Sequence, residues 1–383
     1  MLMVSPGFPS AKRPGRMRFT LEQARALRRA GVVLTVVDDQ AESEGWDQVE
    51  GLPVLRLPHL GSFRQAPAAA VSALARRRTA LRGLRTQRFD AELISFADHK
   101  HWSILGPTVR PRGLVVHGVD VMHPELTSPR GLGARLLMES AHAIFAVSGF
   151  TADLACRWLP RRGWSKVRIN YNGVELNKLS EARALTPSVA RARLGWDATP
   201  VILCVANLVP RKGIDVLLRA VARLLKDGPQ CRLVIVGGGP EEQALRSLAC
   251  SLGLTDAVVF EPPRLDDADL AARFAGCNVF AMLSKTVEHP RGVEGFGIAF
   301  AEAQAVGRPV VAGRGGGVPE VVRDGETGLL VEPEDDEAAA TALRALLTDA
   351  DLAERMGRAG RAWVERRFSW EDNAESIMRT LLR

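Results

Sequence analysis

The residues best suited to chemistry lie in the run Glu294-Gly295-Phe296-Gly297-Ile298-Ala299-Phe300-Ala301-Glu302. Pro309-Val310-Val311-Ala312 and Gly315-Gly316-Gly317-Val318-Pro319-Glu320 follow it. Two carboxylates at this spacing, one before a helix and one within it, stand about 12 Å apart at the helical rise per residue. That exceeds the roughly 5 to 9.5 Å between the paired carboxylates of a glycoside hydrolase. It suits a single elongated ligand held at both ends, and a sugar nucleotide has that form. Glu294 would take hydroxyls of the hexose and Glu302 those of the ribose. The diphosphate between them would rest on the amides of Phe296, Gly297 and Ile298, where a helix start favours an anion. Gly295 and Gly297 let backbone approach the ligand, which a side chain at either position would obstruct.

A second group, Val205-Ala206-Asn207-Leu208-Val209-Pro210-Arg211-Lys212-Gly213, ends a strand and brings a basic pair to the start of the next helix. Lys212 is placed there to meet phosphate. Gly237-Gly238-Gly239-Pro240 lacks the GxGxxG spacing of dinucleotide folds and reads as a structural turn. His117 taken alone reads as a core or turn histidine. His99 and His101 have no carboxylate or cysteine cluster to complete a metal site. Neither a metal nor a cofactor is expected, the nucleotide sugar being a substrate. The five cysteines, Cys156, Cys204, Cys231, Cys250 and Cys277, lie in apolar segments without CxxC spacing and read as reduced core residues.

Alternating strand and helix signals must position these groups, and they predict an α/β protein with parallel sheets. Strand-like runs are Leu34–Val37, Leu93–Phe96, Leu114–Val116, Ala143–Val147, Val201–Ala206, Leu233–Val236, Val258–Phe260, Val279–Met282 and Pro309–Ala312. Helical periods include Leu21–Arg29, Ile214–Leu225, Glu241–Leu252 and Ala338–Leu347. The pattern breaks between Asn172 and Thr199, so two doubly wound units in tandem are expected. A length of 383 residues is more than one core usually serves. With 46% hydrophobic and 25% charged residues, a disordered or fibrous chain is excluded. No apolar run is long enough to span a membrane. The start, Met1-Leu2-Met3-Val4-Ser5-Pro6-Gly7, reads as a buried strand rather than a signal peptide, so a cytoplasmic protein is expected.

Charge divides along the same line. Residues 1–180 carry 26 Lys and Arg against 15 Asp and Glu, and residues 181–383 carry 25 against 29. The halves are therefore +11 and −4, and the basicity behind the net +7 belongs to the first half. Much of it lies in Arg64–Arg88, where Arg76, Arg77, Arg78, Arg82, Arg85 and Arg88 stand beside Val71, Leu74, Leu81 and Leu84. A helix of that pattern is either a solvated surface or a basic face for an anionic bilayer or acceptor.

Taken with Pro210–Gly213 and Gly315–Glu320, the Glu294–Glu302 segment resembles the family-4 retaining glycosyltransferases. In the first half Val116-His117-Gly118-Val119-Asp120-Val121 is similar to that family's His-Gly-x-Asp segment. Val147-Ser148, Asn172-Gly173-Val174-Glu175 and the stretch from Phe8-Pro9 to Glu22-Gln23 also resemble it. The resemblance implies the GT-B fold: two facing Rossmann-like doubly wound parallel-sheet domains, with a C-terminal helix crossing back to the first. The implied domains are 1–180 for the acceptor, 181–366 for the nucleotide sugar, and a final helix in 367–383. It implies that Glu294 contacts the transferred sugar, Glu302 the ribose, Lys212 the diphosphate, and His117 the sugar near its reacting face. Gly15, in the first loop, would lie near the ligands, and the Glu261-Pro262-Pro263-Arg264-Leu265 turn would read the base. Where family members carry Gly-Arg this chain has Ala206-Asn207, so one of two expected cations is missing and Arg211 is the candidate to replace it.

The activity implied is transfer of a hexose from a UDP- or GDP-linked sugar to an acceptor hydroxyl, with retention and without metal. The expected acceptor is anionic or membrane-presented, reached by Arg76, Arg77 and Arg78 through peripheral membrane contact. No nucleic-acid partner is expected. Other classes fit parts of the pattern. A sugar-nucleotide epimerase would convert donor without acceptor, and a catalytically silent carbohydrate- or lipid-binding relative would show no turnover. The missing GxGxxG speaks against a nicotinamide-dependent oxidoreductase.

Overall fold

The computed structural model describes residues 1–382 except 11–16, 42–43, 59–71, 74, 78, 82–83, 85–86, 98–109, 123–128, 177–178, 264–265 and 289–290. The chain divides into two compact units. The first comprises Met1–Val147, Thr151–Tyr171 and Trp370–Arg383, and the second Ser148–Phe150 and Asn172–Ser369. The main divisions thus fall after residues 171 and 369, against the 180 and 366 read from composition.

In the first unit eight strands form one sheet: β1 (Leu2–Ser5), β2 (Thr35–Ala41), β3 (Gly45–Val49), β4 (Leu52–Pro58), β5 (Glu92–Ser95), β6 (Arg112–Val116), β7 (Ala143–Ala146) and β8 (Val167–Ile169). Their order is β3-β4-β2-β1-β5-β6-β7-β8. All pairs are parallel except β3 with β4. β1, β5, β6 and β7 are buried along their whole length, as expected of parallel strands covered on both faces. The final helix, Trp370–Leu381, belongs to this unit and buries Trp370, Asn373, Ala374, Ile377 and Leu381. These positions recur at helical spacing and form one face.

Among its described residues the basic segment fits the solvated-surface reading on one side, where Ser72, Ala75, Arg76 and Thr79 are exposed. Its described residues in 72–84 are helical. Leu84, with Ala80 and Leu81, packs on Leu2, Val4, Val37, Leu55 and Leu57 of the sheet. These described apolar residues are therefore part of the core. Arg77 is buried at 2% exposure and donates to the Asp39 carbonyl, so it is a core residue and not an acceptor-guiding one. Arg76 is exposed and paired with Glu44 at 2.8 Å. Arg78 lies outside the described residues.

The second unit holds a six-stranded parallel sheet: β9 (Val201–Val205), β10 (Arg232–Val236), β11 (Val258–Glu261), β12 (Val279–Met282), β15 (Val310–Gly313) and β16 (Gly328–Val331). A two-stranded ribbon, β13 (Val287–Glu288) with β14 (Arg291–Gly292), stands apart. The sheet order is β11-β10-β9-β12-β15-β16. It reverses direction between β9 and β12, and ligands of open α/β sheets bind beyond the carboxyl ends of the strands at such a reversal. Cys204, Cys231 and Cys277 are buried, but Cys250 is exposed, which corrects its core reading. Among the described residues no helix is long and apolar enough to cross a membrane.

Candidate active site

The two strands at the reversal each release a functional segment. After β9 the chain turns through a short 3-10 helix, Pro210–Lys212, into the helix Ile214–Asp227. Gly213 joins them with φ 61°, and a Cβ there would stand 1.9 Å from the Leu283 carbonyl oxygen. Only glycine lets this turn approach the end of β12 so closely. Residues after β12 then lead through the ribbon to Glu294. The backbone N–H of Lys285 donates to the Arg211 carbonyl at 2.8 Å, tying the two segments together.

Here Arg211, Lys212 and Glu294 meet. One carboxylate oxygen of Glu294 accepts from Lys212 Nζ and, at 3.1 Å, from Arg211 Nη1. Lys212 and Glu294 side chains are each 11% exposed. Burial would raise the Glu294 pKa, but the Lys212 ammonium and the Arg211 guanidinium together hold it below the usual carboxylate range. Burial, reinforced by Arg211, pushes Lys212 down despite its carboxylate partner. The cluster is thus a nearly desolvated acid with two cations, and a polyanion entering it would compete with Glu294 for both.

The Glu294 backbone is held by the glycine-rich segment. Gly317 donates to the Glu294 carbonyl at 2.9 Å. Gly316 has φ 58°, and a Cβ on it would lie 2.1 Å from that same oxygen. These glycines allow backbone to pack on backbone behind the site. Three residues on, Gly297 in the left-handed region (φ 101°) caps the helix Ile298–Ala305, with no side-chain cap. The first amides of that helix have no partner within it, and Gly297 is close enough that its Cβ would lie 3.8 Å from Glu294 Cγ. Phe296 turns inward, edge-on to Phe368 at 5.1 Å, so its ring does not face a ligand. Glu302 lies within the helix and is half-buried. Gly237–Gly239 is a structural turn, the Gly238 carbonyl accepting from the Leu208 amide at 3.0 Å. Gly15 and Leu265 lie outside the described residues.

In the first unit His117 follows β6. Its ring lies between Phe19 and Phe96, with centroids 4.6 and 4.7 Å away. Its Nε2 is buried without a partner among the described residues. Burial pushes its pKa down to about 3. Asp120 accepts from the backbone N–H of His117 at 2.9 Å and of Ala97 at 3.1 Å, pinning the turn that carries the ring. Sequence reasoning named His117 and missed this task of Asp120. The signal was its position three residues on, where a short acid can cap its own turn. Glu320, similarly unassigned, accepts from the amides of Gly149 and Phe150 at 2.8 and 3.0 Å.

Comparison with known proteins extends this geometry. The family model described as "Glycosyl transferases group 1" matches residues 189–363. A GDP-mannose-dependent alpha-(1-6)-phosphatidylinositol monomannoside mannosyltransferase of Mycolicibacterium smegmatis is 36% identical over 301 residues, 76% of each chain. A D-inositol 3-phosphate glycosyltransferase of Streptomyces avermitilis is 37% identical over 258 residues, covering 64% of this chain and 53% of that one. Among solved structures, sucrose-phosphate synthase from Thermosynechococcus elongatus superposes with a TM-score of 0.80 at 23% identity, covering 99% of this chain and 97% of the other. That likeness carries the GT-B fold, and the first relative carries the family. The segment matched by the family model contains Lys212, Glu294 and Glu302, and the kinship runs across three quarters of the sequence, so this chain belongs to the group 1 glycosyltransferases.

Proposed function

We propose that the chain transfers mannose from a GDP-linked donor to an inositol phosphate headgroup, with retention of anomeric configuration and without a divalent ion. The donor follows the relative named for GDP-mannose. The acceptor class follows from two relatives whose named acceptors both carry inositol and phosphate. The observation that carries the reading is the Lys212-Glu294-Arg211 cluster at the reversal point of the second sheet.

Glu294 pairs with both cations and offsets one of their two charges. A diphosphate takes Lys212 and Arg211 from it, and the released carboxylate accepts hydrogen bonds from sugar hydroxyls. As the bond from the anomeric carbon to the diphosphate oxygen breaks, negative charge grows on that oxygen. Lys212 and the amides at the start of Ile298–Ala305 stabilise it. The acceptor hydroxyl attacks on the face the diphosphate leaves and passes its proton to the departing oxygen, which retains configuration.

Thermal shift with UDP, GDP and ADP sugars would rank donors. Transfer to an inositol phosphate in excess EDTA, with product configuration read by NMR, would test the reaction. Activity lost in EDTA and restored by magnesium would overturn the metal-free step, and donor conversion without acceptor would favour an epimerase. Glu302→Ala should weaken free nucleoside diphosphate as well as donor. Glu294→Gln should bind the free nucleoside diphosphate at least as tightly as wild type, because it releases two cations, while transfer falls by about 10²-fold. Equal loss of nucleoside diphosphate affinity in both variants would reject the arrangement.

A further inference from the structure

A basic surface remains that the transfer chemistry does not use. Residues 157–169, Arg-Trp-Leu-Pro-Arg-Arg-Gly-Trp-Ser-Lys-Val-Arg-Ile, carry Arg157, Arg161, Arg162, Lys166 and Arg168 and no carboxylate. They form the 3-10 turn Arg161–Lys166 and then β8, the edge strand of the first sheet. Arg157, Arg161, Arg162 and Arg168 are all exposed. Lys166 is occupied otherwise, donating to the Glu139 carbonyl at 2.9 Å near the end of helix Pro129–Ser140.

The two tryptophans of the segment face opposite ways. Trp158 is buried, with its indole N–H on the Val121 carbonyl at 3.1 Å. Trp164 is 46% exposed, although its N–H already donates to the Cys156 carbonyl at 3.1 Å. Its exposure therefore does not serve that polar atom and leaves hydrocarbon facing solvent. Arg161 stands 5.9 Å from the ring centroid. Ile169, at the end of the edge strand, is 49% exposed. The helix to which Lys166 is tied turns Leu132 and Leu136 outward, one turn apart.

We propose that this turn forms a docking surface for an anionic bilayer, with Trp164 at the headgroup level and Arg157, Arg161 and Arg162 on lipid phosphates. Charge complementarity selects the partner. Basic residues beside an anionic leaflet attract it over about a Debye length, and an aromatic with a satisfied polar atom is suited to the apolar side of that boundary. In segment 72–84, by contrast, the described Ala80, Leu81 and Leu84 pack inward. The inference stands on exposure and charge and is independent of the donor and acceptor proposed above.

The full chain should sediment with vesicles of phosphatidylcholine and phosphatidylglycerol in equal parts and remain in solution with phosphatidylcholine alone. Replacing Arg161 and Arg162 by Gln should weaken partitioning about fivefold for each residue. Trp164→Ala should weaken it further at every salt concentration, while Arg76→Gln should leave it unchanged. The urea transition of the first unit should match wild type in each variant, which controls for folding. Sedimentation of the double variant equal to wild type, no wild-type binding at low salt, or capture of RNA while anionic vesicles are ignored would each overturn the proposal. Failure of transfer to a soluble acceptor would count against the reaction proposed above and leave the vesicle result standing.

Discussion

Burial without a hydrogen-bond partner decides the charge of His117. Its ring lies between two phenyl groups with Nε2 unpartnered among the described residues, and its pKa is pushed down to about 3. A neutral imidazole can donate to or accept from a hydroxyl, but it cannot supply a cation to a leaving phosphate. An unfolded histidine titrates near 6.5, so the stability tied to His117 is complete above that pH and is lost as pH falls toward 3. Asp120 runs the other way. Burial raises it to about 6 against several backbone hydrogen bonds, so its contribution is complete below its ordinary value of 3.8 and is lost as pH rises through 6. Across the interval between those values the two oppose each other. The His117 resonance, assigned through His117→Gln, should therefore show no titration from about pH 5 to 9. In Asp120→Asn, stability should fall more steeply than in wild type on acidification from pH 6 to 4. A His117 inflection near 6.5 would contradict the buried neutral ring. The sequence marked Glu294 and Lys212 for separate parts of a ligand. It could not show that they share an ion pair, because 82 positions separate them and only the adjacency of β9 and β12 brings them together.

At the scale of elements, the site depends on places where two stretches of backbone touch. Gly316 and Gly325 separate this cause from simple torsional preference. Both have positive φ, 58° and 73°, but a Cβ on Gly316 would meet the Glu294 carbonyl oxygen at 2.1 Å, whereas nothing lies within 4 Å of one on Gly325. Gly325→Ala should cost about 1–2 kcal/mol, the left-handed penalty alone. Gly316→Ala should cost clearly more in urea denaturation and should reduce donor binding, because the clash pushes on the Glu294 backbone. Equal losses would mean that the contact is softer than its geometry. The same distinction explains which elements were legible. Each of the nine strand-like runs predicted from apolar character overlaps an observed parallel strand, since burial on both faces leaves a continuous hydrophobic signature, and edge strand β11 is apolar although its Val259 is exposed. β3 was not legible, because Gly-Trp-Asp-Gln-Val is an exposed antiparallel edge. Its turn into β4 places Glu50 and Gly51 at φ 51° and 76°, and Glu-Gly is a weak form of a signal usually carried by Asn-Gly. The inward packing of segment 72–84 escaped for a different reason. Its arginines advertise solvent, yet Arg77 finds Asp39 inside.

At the scale of the whole molecule, the chain leaves the first unit after Tyr171 and returns to it at Trp370, so that unit's core is completed only by the last residues translated. Asn373 closes the circuit. Its side-chain oxygen accepts from Gln23 Nε2 at 2.9 Å, its amide donates to the Tyr171 carbonyl at 2.7 Å, and it is 2% exposed. One side chain therefore links the first helix, the end of the internal segment and the returning helix, where water cannot substitute. Removing it strands the buried Gln23 amide, and Asn373→Ala should cost about 1–3 kcal/mol. Arg29→Ala breaks a pair with Glu371 in the same helix, but those side chains are 43% and 65% exposed. It should cost no more than about 0.5 kcal/mol. Ligand linkage tells which unit is affected. If Lys212 holds the diphosphate as proposed, a nucleoside diphosphate should stabilise the second unit by mass action. In a urea titration followed with and without it, Asn373→Ala should move the transition that the ligand leaves in place. An effect as small as that of Arg29→Ala, or a shift confined to the ligand-stabilised transition, would show that the returning helix does not complete the first core.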